Sequence, residues 1–174
     1  MKRCVVVILF VMLALAAGGI VSCSRSSEEQ AMQTEPTVTS PWTGTWKLNP
    51  EKSKAPGGRI PHPTSINIIT VEGDTLTMVA DHTDTEGNSE HVEYTAKFDG
   101  ETYPVTSTPP GPDPYTIVLK NIDERTREFV EVLGTFTISG RDVLSEDGMT
   151  FSRVVDLTDP QGNDASVLQF FEKQ

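Results

Sequence analysis

From Trp42 onward the chain alternates apolar and polar residues in short runs. Val92, Tyr94, Ala96 and Phe98 are interleaved with His91, Glu93, Thr95 and Lys97. Tyr115, Ile117 and Leu119 are interleaved with Thr116, Val118 and Lys120, and Gly44, Trp46 and Leu48 with Thr45 and Lys47. A period of two puts successive side chains on opposite faces of an extended chain, so each run predicts a strand with one buried face. Shorter or less regular runs predict further strands near Ser65–Val71, Thr75–Ala80, Arg127–Leu133, Thr135–Ser139, Thr150–Val155 and Ala165–Phe171. No stretch sustains helical spacing. Between the runs stand Glu72-Gly73-Asp74, Glu86-Gly87-Asn88, Asp99-Gly100, Asp147-Gly148 and Gly162-Asn163. Gly and Asn tolerate the positive φ that tight hairpins require.

Residues Ile68 to Val92 align without gaps to Val143 to Val167, an offset of 75 positions. Gly73 falls on Gly148, Thr75 on Thr150, Val79 on Val154, Asp81 on Asp156, Gly87 on Gly162 and Val92 on Val167. Duplication of a three-strand unit and convergence on good turn chemistry both account for the echo. Either way, consecutive strands joined by tight turns predict an all-β, antiparallel up-and-down meander. Closing it into a barrel of about eight to ten strands would remove its free edges; a β-sandwich is the alternative. Two connections are longer. Glu51–Pro63 has little to bury, and Ser107–Pro114 holds four prolines, which makes it stiff and unfit for a central strand.

The first residues differ in kind. Lys2 and Arg3 precede an uncharged run from Val5 to Ala17, too short to span a bilayer comfortably, and small residues follow. This is the pattern of an export signal. The boundary Ile20-Val21-Ser22-Cys23 resembles the lipobox of bacterial lipoproteins. That resemblance implies cleavage before Cys23, acylation of Cys23, and attachment to a membrane through several chains on one residue, since one chain alone anchors marginally. Ser24 would by the same resemblance direct a protein of a two-membrane cell to the outer membrane. The alternative, a plain secretory signal, would leave Cys23 as a lone unmodified thiol, because Cys4 lies in the removed segment. Three segments follow: signal peptide 1–22, lipidated Cys and flexible tether 23–41, and a β-domain 42–174. The tether is rich in Ser, Thr, Glu, Gln and Pro and has almost nothing to bury.

Gly44-Thr45-Trp46 on the first strand is similar to the Gly-x-Trp hallmark of lipocalins, in which Trp closes the base of the barrel. Its extension Gly44-Thr45-Trp46-Lys47-Leu48-Asn49-Pro50-Glu51-Lys52-Ser53-Lys54 resembles exported bacterial lipocalin-like proteins of unassigned activity, as do Glu93-Tyr94-Thr95-Ala96-Lys97-Phe98-Asp99-Gly100 and Tyr103-Pro104-Val105. The resemblance implies a calycin-type barrel over most of the chain beyond Trp42. Such a barrel either holds one small ligand or is filled by its own side chains. The inward residues expected to line it are Trp46, Tyr94, Phe98, Tyr115, Ile117, Phe129 and Phe151, and a small apolar or amphipathic molecule is the expected partner. The rival expectation is a filled barrel with a structural or protein-interaction role.

Charge narrows the partners. Removing residues 1–22 takes Lys2 and Arg3 and no acid, leaving 12 basic residues against 25 acidic ones, a net charge of −13. That surface repels phosphate backbones and anionic headgroups, so nucleic acid is not an expected partner. Pairing Thr83 with Ser89 would set His82 opposite Glu90 and His91 opposite Asp81, with the two imidazoles on opposite faces, unable to share a metal. The acids around Asp84 and Asp159 lack the oxygen spacing of a calcium loop and read as turn caps. No nucleophile elbow or phosphate-binding glycine loop is present. No catalytic residue, metal or cofactor is expected, and the pattern leaves the oligomeric state open.

Overall fold

The computed structural model describes residues 39–158, 162 and 164–174. The signal segment, Cys23 and most of the tether lie outside the described residues. Eleven strands follow one another: β1 (Gly44–Leu48), β2 (Thr64–Glu72), β3 (Thr75–Thr83), β4 (Ser89–Lys97), β5 (Asp99–Pro104), β6 (Thr106–Thr108), β7 (Tyr115–Asn121), β8 (Thr126–Leu133), β9 (Phe136–Leu144), β10 (Thr150–Thr158) and β11 (Asp164–Lys173). Among the described residues the only helical element is a 3-10 turn at Pro56–Gly58, and no helix is long and apolar enough to cross a membrane.

All strands belong to one antiparallel sheet in the order β5-β7-β8-β9-β10-β11-β1-β2-β3-β4-β6. The first and last strands meet, since β1 pairs with both β2 and β11. The two ends of that order, β5 and β6, are halves of a single ribbon interrupted at Val105. The first half hydrogen-bonds to β7 and the second to β4. One ribbon thus shares its backbone groups between two neighbours, and the sheet curls into a nearly closed barrel. This decides against the sandwich: a sandwich keeps free margins, whereas here the margins are stitched to the same ribbon.

Nine of the eleven strands form where the sequence pattern predicts them; β5 and β6 are the exceptions. On β2, Ser65, Asn67 and Ile69 are buried while Ile66 and Ile68 face outward. Leu76, Met78 and Ala80 on β3 and Val92, Tyr94 and Ala96 on β4 are buried in the same rhythm. Thr83 pairs with Ser89, so His82 stands opposite Glu90 and Asp81 opposite His91. The tight turn Gly73-Asp74 uses Gly73 at φ 60°. The repeat survives as a face rather than as a register. Leu76 and its counterpart Phe151 both point inward, but Leu76 pairs with Val71 whereas Phe151 pairs with Leu144, not with Glu146.

The lower end of the barrel, where the described chain enters at Trp42 and leaves at Gln174, is solid. Trp42, Trp46, Leu76, Leu119, Phe151 and Phe171 are each at most 4% exposed. Trp46 donates its indole N–H to the carbonyl of Trp42 at 2.9 Å and meets Phe151 edge-on at 5.0 Å. Trp42 in turn donates to the carbonyl of Glu124 at 3.1 Å. Burying each such side chain contributes about 1.5–3 kcal/mol. Gly140 on β9 serves the packing differently: a Cβ there would lie 2.3 Å from the Phe129 ring, so only glycine lets that ring rest on the strand.

The upper end carries the long connections. The stretch 49–63 has more to bury than its composition promises. Ile60 is buried, Lys54 forms a bridge with Leu168, and Ser53 Oγ accepts from the Phe170 amide at 3.0 Å. These contacts fix the segment over the mouth of the barrel.

Candidate functional site

Above the plug the barrel is not filled. A cavity of about 250 Å³ opens toward the upper end, its wall drawn from β2, β3, β4, β7, β8, β9, β10 and β11 and from Pro61 and His62 of the covering segment. Of the seven residues expected to line it, Tyr115 and Phe129 do so. Trp46, Tyr94, Ile117 and Phe151 pack in the buried core beside it, and Phe98, just past the end of β4, packs partly buried against that core. Apolar wall is supplied by Met78, Val92, Ile138, Val155, Leu157 and Val167.

Much of the rest of the wall is polar, a feature that apolar patterning does not reveal. On one side β2 presents Ser65 and Asn67, and β3 presents His82 directly opposite Ser65. His82 Nδ1 lies 2.9 Å from Ser65 Oγ, which lies 3.1 Å from Asn67 Oδ1. Asn67 is 1% exposed, and its Nδ2 has no hydrogen-bond partner; neither does the buried Nδ1 of His62, whose ring stands 5.4 Å from that of His82. Burial first, and then the neighbouring His62 and Arg153, push the His82 pKa down to about 4. His91, by contrast, points outward and bonds Asp81 Oδ1 at 2.8 Å. The two imidazoles face opposite ways, as the pairing requires.

On the other side, three charged residues stand in one cross-strand row. Arg127 pairs with Asp142, and Asp142 with Arg153. Asp142, with no exposed surface, accepts from Arg127 Nε at 2.8 Å and from Arg153 Nε and Nη2 at 2.7 and 2.9 Å. The guanidinium groups lie over aromatic faces, Arg127 over Trp42 at 4.2 Å and Arg153 over Phe129 at 4.6 Å. Burial alone would raise the Asp142 pKa, but the two arginines outweigh it and hold the carboxyl below its usual range. Arg153 is the member that reaches the cavity. Above it, Glu131 accepts from the Tyr115 hydroxyl at 2.7 Å, and burial raises its pKa despite that bond and the nearby Arg153. Arg127, Glu131 and Arg153 were open to sequence reasoning in part: each lies two residues from Phe129 or Phe151 and so shares its face.

A pH prediction follows from His82. Its folded pKa of about 4 lies below the ordinary 6.5, so between these values the unfolded chain binds the extra proton. Stability is retained above pH 6.5 and is lost as pH falls toward 4, by about 3 kcal/mol in all. Glu131 acts in the opposite sense, because a raised acid favours the folded state as it takes up its proton. The measurement is therefore the difference between the natural chain and His82→Asn in urea denaturation at pH 7 and pH 4.5. The natural chain should lose about 2 kcal/mol more than the variant. Equal losses would show that the imidazole is not held neutral by the fold.

Among the described residues no three His, Cys, Asp or Glu side chains converge on a point that could hold a metal ion. No protein-family model matches the chain, and no curated protein does. Among solved structures the chain is similar to a redesigned β-barrel, mFAP1, bound to DFHBI, with 14% identity, a TM-score of 0.40, and coverage of 76% of this chain and 95% of that one. It is also similar to a Schistosoma mansoni fatty acid binding protein in complex with arachidonic acid, with 16% identity, a TM-score of 0.54, and coverage of 78% of this chain and 98% of that one. At that identity the second likeness is one of fold, and it places the chain among barrels of this architecture.

Proposed function

We propose that this protein is a non-catalytic carrier of a small amphipathic molecule, held in its upper cavity. The observation that carries the reading is the cavity itself: about 250 Å³ of space with Met78, Val92, Val155 and Phe129 on its wall beside Asn67, His82, Glu131 and Arg153. A barrel that merely needed to be stable would fill that space with apolar side chains, as its own lower half does. The volume lies just below the roughly 300–1,000 Å³ of pockets for drug-sized ligands, so the ligand is small. The likeness to a fatty acid binding protein supports binding over catalysis. So does His82, since an imidazole with a pKa near 4 is a poor general base at neutral pH.

The place of action is the cell envelope, with the domain tethered through lipid on Cys23. This part of the reading rests on the export signal and the sequence Ile20-Val21-Ser22-Cys23. Cys23→Ser is expected to move the protein from the membrane pellet to the soluble fraction; a variant that still sediments with membranes would refute the tether.

Carriage is tested by native mass spectrometry of the full-length chain titrated with eight-carbon amphiphiles, against Val155→Trp, which places a large ring in the cavity. The natural chain is expected to take up one molecule and the variant none, with both melting cooperatively. Uptake that survives the blocked cavity would move binding elsewhere, and its absence in the natural chain would return the barrel to a structural role.

A further inference from the structure

We propose that the corner formed by His82, Ser65 and Asn67 recognises a group that both donates and accepts a hydrogen bond, so that the ligand is a neutral amphiphile with an amide or hydroxyl head. The inference rests on the carrier reading above and names the head group that the cavity selects.

One proton decides how the corner is wired. Ser65 stands between two partners, with His82 Nδ1 at 2.9 Å and Asn67 Oδ1 at 3.1 Å. A hydroxyl donates once. Asn67 Oδ1 can only accept, so Ser65 gives its proton to Asn67 and must accept from a protonated His82 Nδ1. The imidazole is neutral at ordinary pH because burial and the neighbouring His62 and Arg153 suppress its basicity. Its second nitrogen, Nε2, then carries a lone pair. The relay therefore ends in a donor at Asn67 Nδ2 and an acceptor at His82 Nε2, on two side chains that both line the cavity.

Rotating the Asn67 amide by half a turn reverses every bond and leaves the conclusion intact. Nδ2 would then donate to Ser65, Ser65 would donate to His82 Nδ1, and His82 Nε2 would carry the proton. The free atoms become an acceptor at Asn67 and a donor at His82. In both arrangements the wall offers one of each, and a ligand must supply the complementary pair. A carboxylate, which only accepts, satisfies one end and sets its lone pairs against the other.

The buried end of the relay shows that it is unfinished within the fold. Asn67 is 1% exposed, and its Nδ2 has no partner. Buried donors are rarely left so, because an unmet one is costly. Asp142 takes three of the ten N–H groups of the two arginines, so Arg153 on the cavity wall keeps donors of its own, and an anionic head held by them is the rival that octanoate tests.

The test is calorimetric titration of the full-length chain with octanamide, 1-octanol, octanoate and methyl octanoate. Octanamide and 1-octanol are expected to bind at least about tenfold more tightly than the ester, the yield of one to two net hydrogen bonds. Octanoate should bind more weakly than octanamide. Ser65→Ala removes the relay while keeping the apolar wall, and it should bring amide and ester to within about threefold of each other, with its melting temperature recorded as a check on folding. Octanoate binding as tightly as octanamide, or amide and ester binding equally to the natural chain, overturns the inference while leaving the carrier standing. Binding of none of the four overturns the carrier reading, and this inference with it.

Discussion

Asp142→Ala is expected to destabilise the barrel by about 3–5 kcal/mol, because it strips the buried Arg127 and the part-buried Arg153 of their shared counter-charge. Arg127 is 3% exposed and Asp142 not at all, so water cannot take over the Arg127 bond, whereas Arg153, on the cavity wall, recovers part of its loss from water. Three hydrogen bonds disappear at once, two from Arg153 and one from Arg127. Two like charges then face each other across the width of one strand. The stacking of Arg127 on Trp42 and of Arg153 on Phe129 remains, but each such contact contributes only about 0.5–2 kcal/mol and does not cancel a charge. Asp142→Asn should fall between the natural chain and alanine, since it keeps the shape and one acceptor and loses the charge.

The informative control replaces all three. Arg127→Met, Asp142→Leu and Arg153→Met together remove the desolvation cost with the attraction, and such replacements are commonly neutral or stabilising by about 1–4 kcal/mol. A stable triple variant beside a weakened Asp142→Ala would separate the net worth of the row from the cost of breaking it. Urea denaturation measures both, and a loss below about 1 kcal/mol for Asp142→Ala would mean that water reaches the guanidinium groups. The row also bears on the cavity. Arg153 lines it and is aligned by Asp142 through two parallel bonds, so the charge plug fixes the floor on which a ligand would rest.

How much of this can be read in advance depends on what kind of information each feature needs. The hairpin between β3 and β4 is local: alternation sets its faces and Gly87 its turn, and from these the opposite orientations of His82 and His91 follow. The ribbon that closes the barrel is not local. Asp99-Gly100-Glu101-Thr102-Tyr103-Pro104 shows no clean alternation and contains a proline, so nothing marks it as a strand. It becomes one because β7 and β4 each have one edge unpaired: Asp99–Pro104 pairs with β7, its register shifting between Asp99 and Thr102, and Thr106–Thr108 pairs with β4. Ser107 likewise falls in a proline-rich stretch yet pairs with Val92. The site divides in the same way. Ser65 and Asn67 alternate with isoleucines, and the inward face is the polar one there, the reverse of what hydrophobic patterning expects. The row Arg127–Asp142–Arg153 joins three strands and needs their registers, which no single stretch of sequence contains. Selecting large apolar residues as lining therefore favours the plug, because the bulkiest side chains are spent at the lower end.

The plug sets the length of the cavity, and Phe151 is the residue to change. It is 1% exposed, stacks on Phe171 at 4.5 Å with the rings 12° from parallel, and meets Trp46 edge-on. Phe151→Ala should cost about 3–5 kcal/mol, the transfer of a large ring plus the hole it leaves. Phe171 is the partition: it lines the cavity on one side and stacks on Phe151 on the other. With its stacking partner gone, Phe171 is free to turn into the hole, and the cavity gains depth toward Trp46. The variant is thus expected to lose stability and to accept a longer chain, its preference moving from eight-carbon toward twelve-carbon amphiphiles in calorimetric titration at a temperature where it remains folded. The opposing possibility is collapse, in which Trp42 and Trp46 close over the hole. Trp46 is held by its bond to the Trp42 carbonyl and Trp42 by its bond to Glu124, so collapse must break a buried hydrogen bond to recover apolar contact, a trade of about 1 kcal/mol or more against it. A destabilised Phe151→Ala with unchanged chain-length preference would show that the plug collapses as a unit and that the floor of the cavity is set by Arg153 alone.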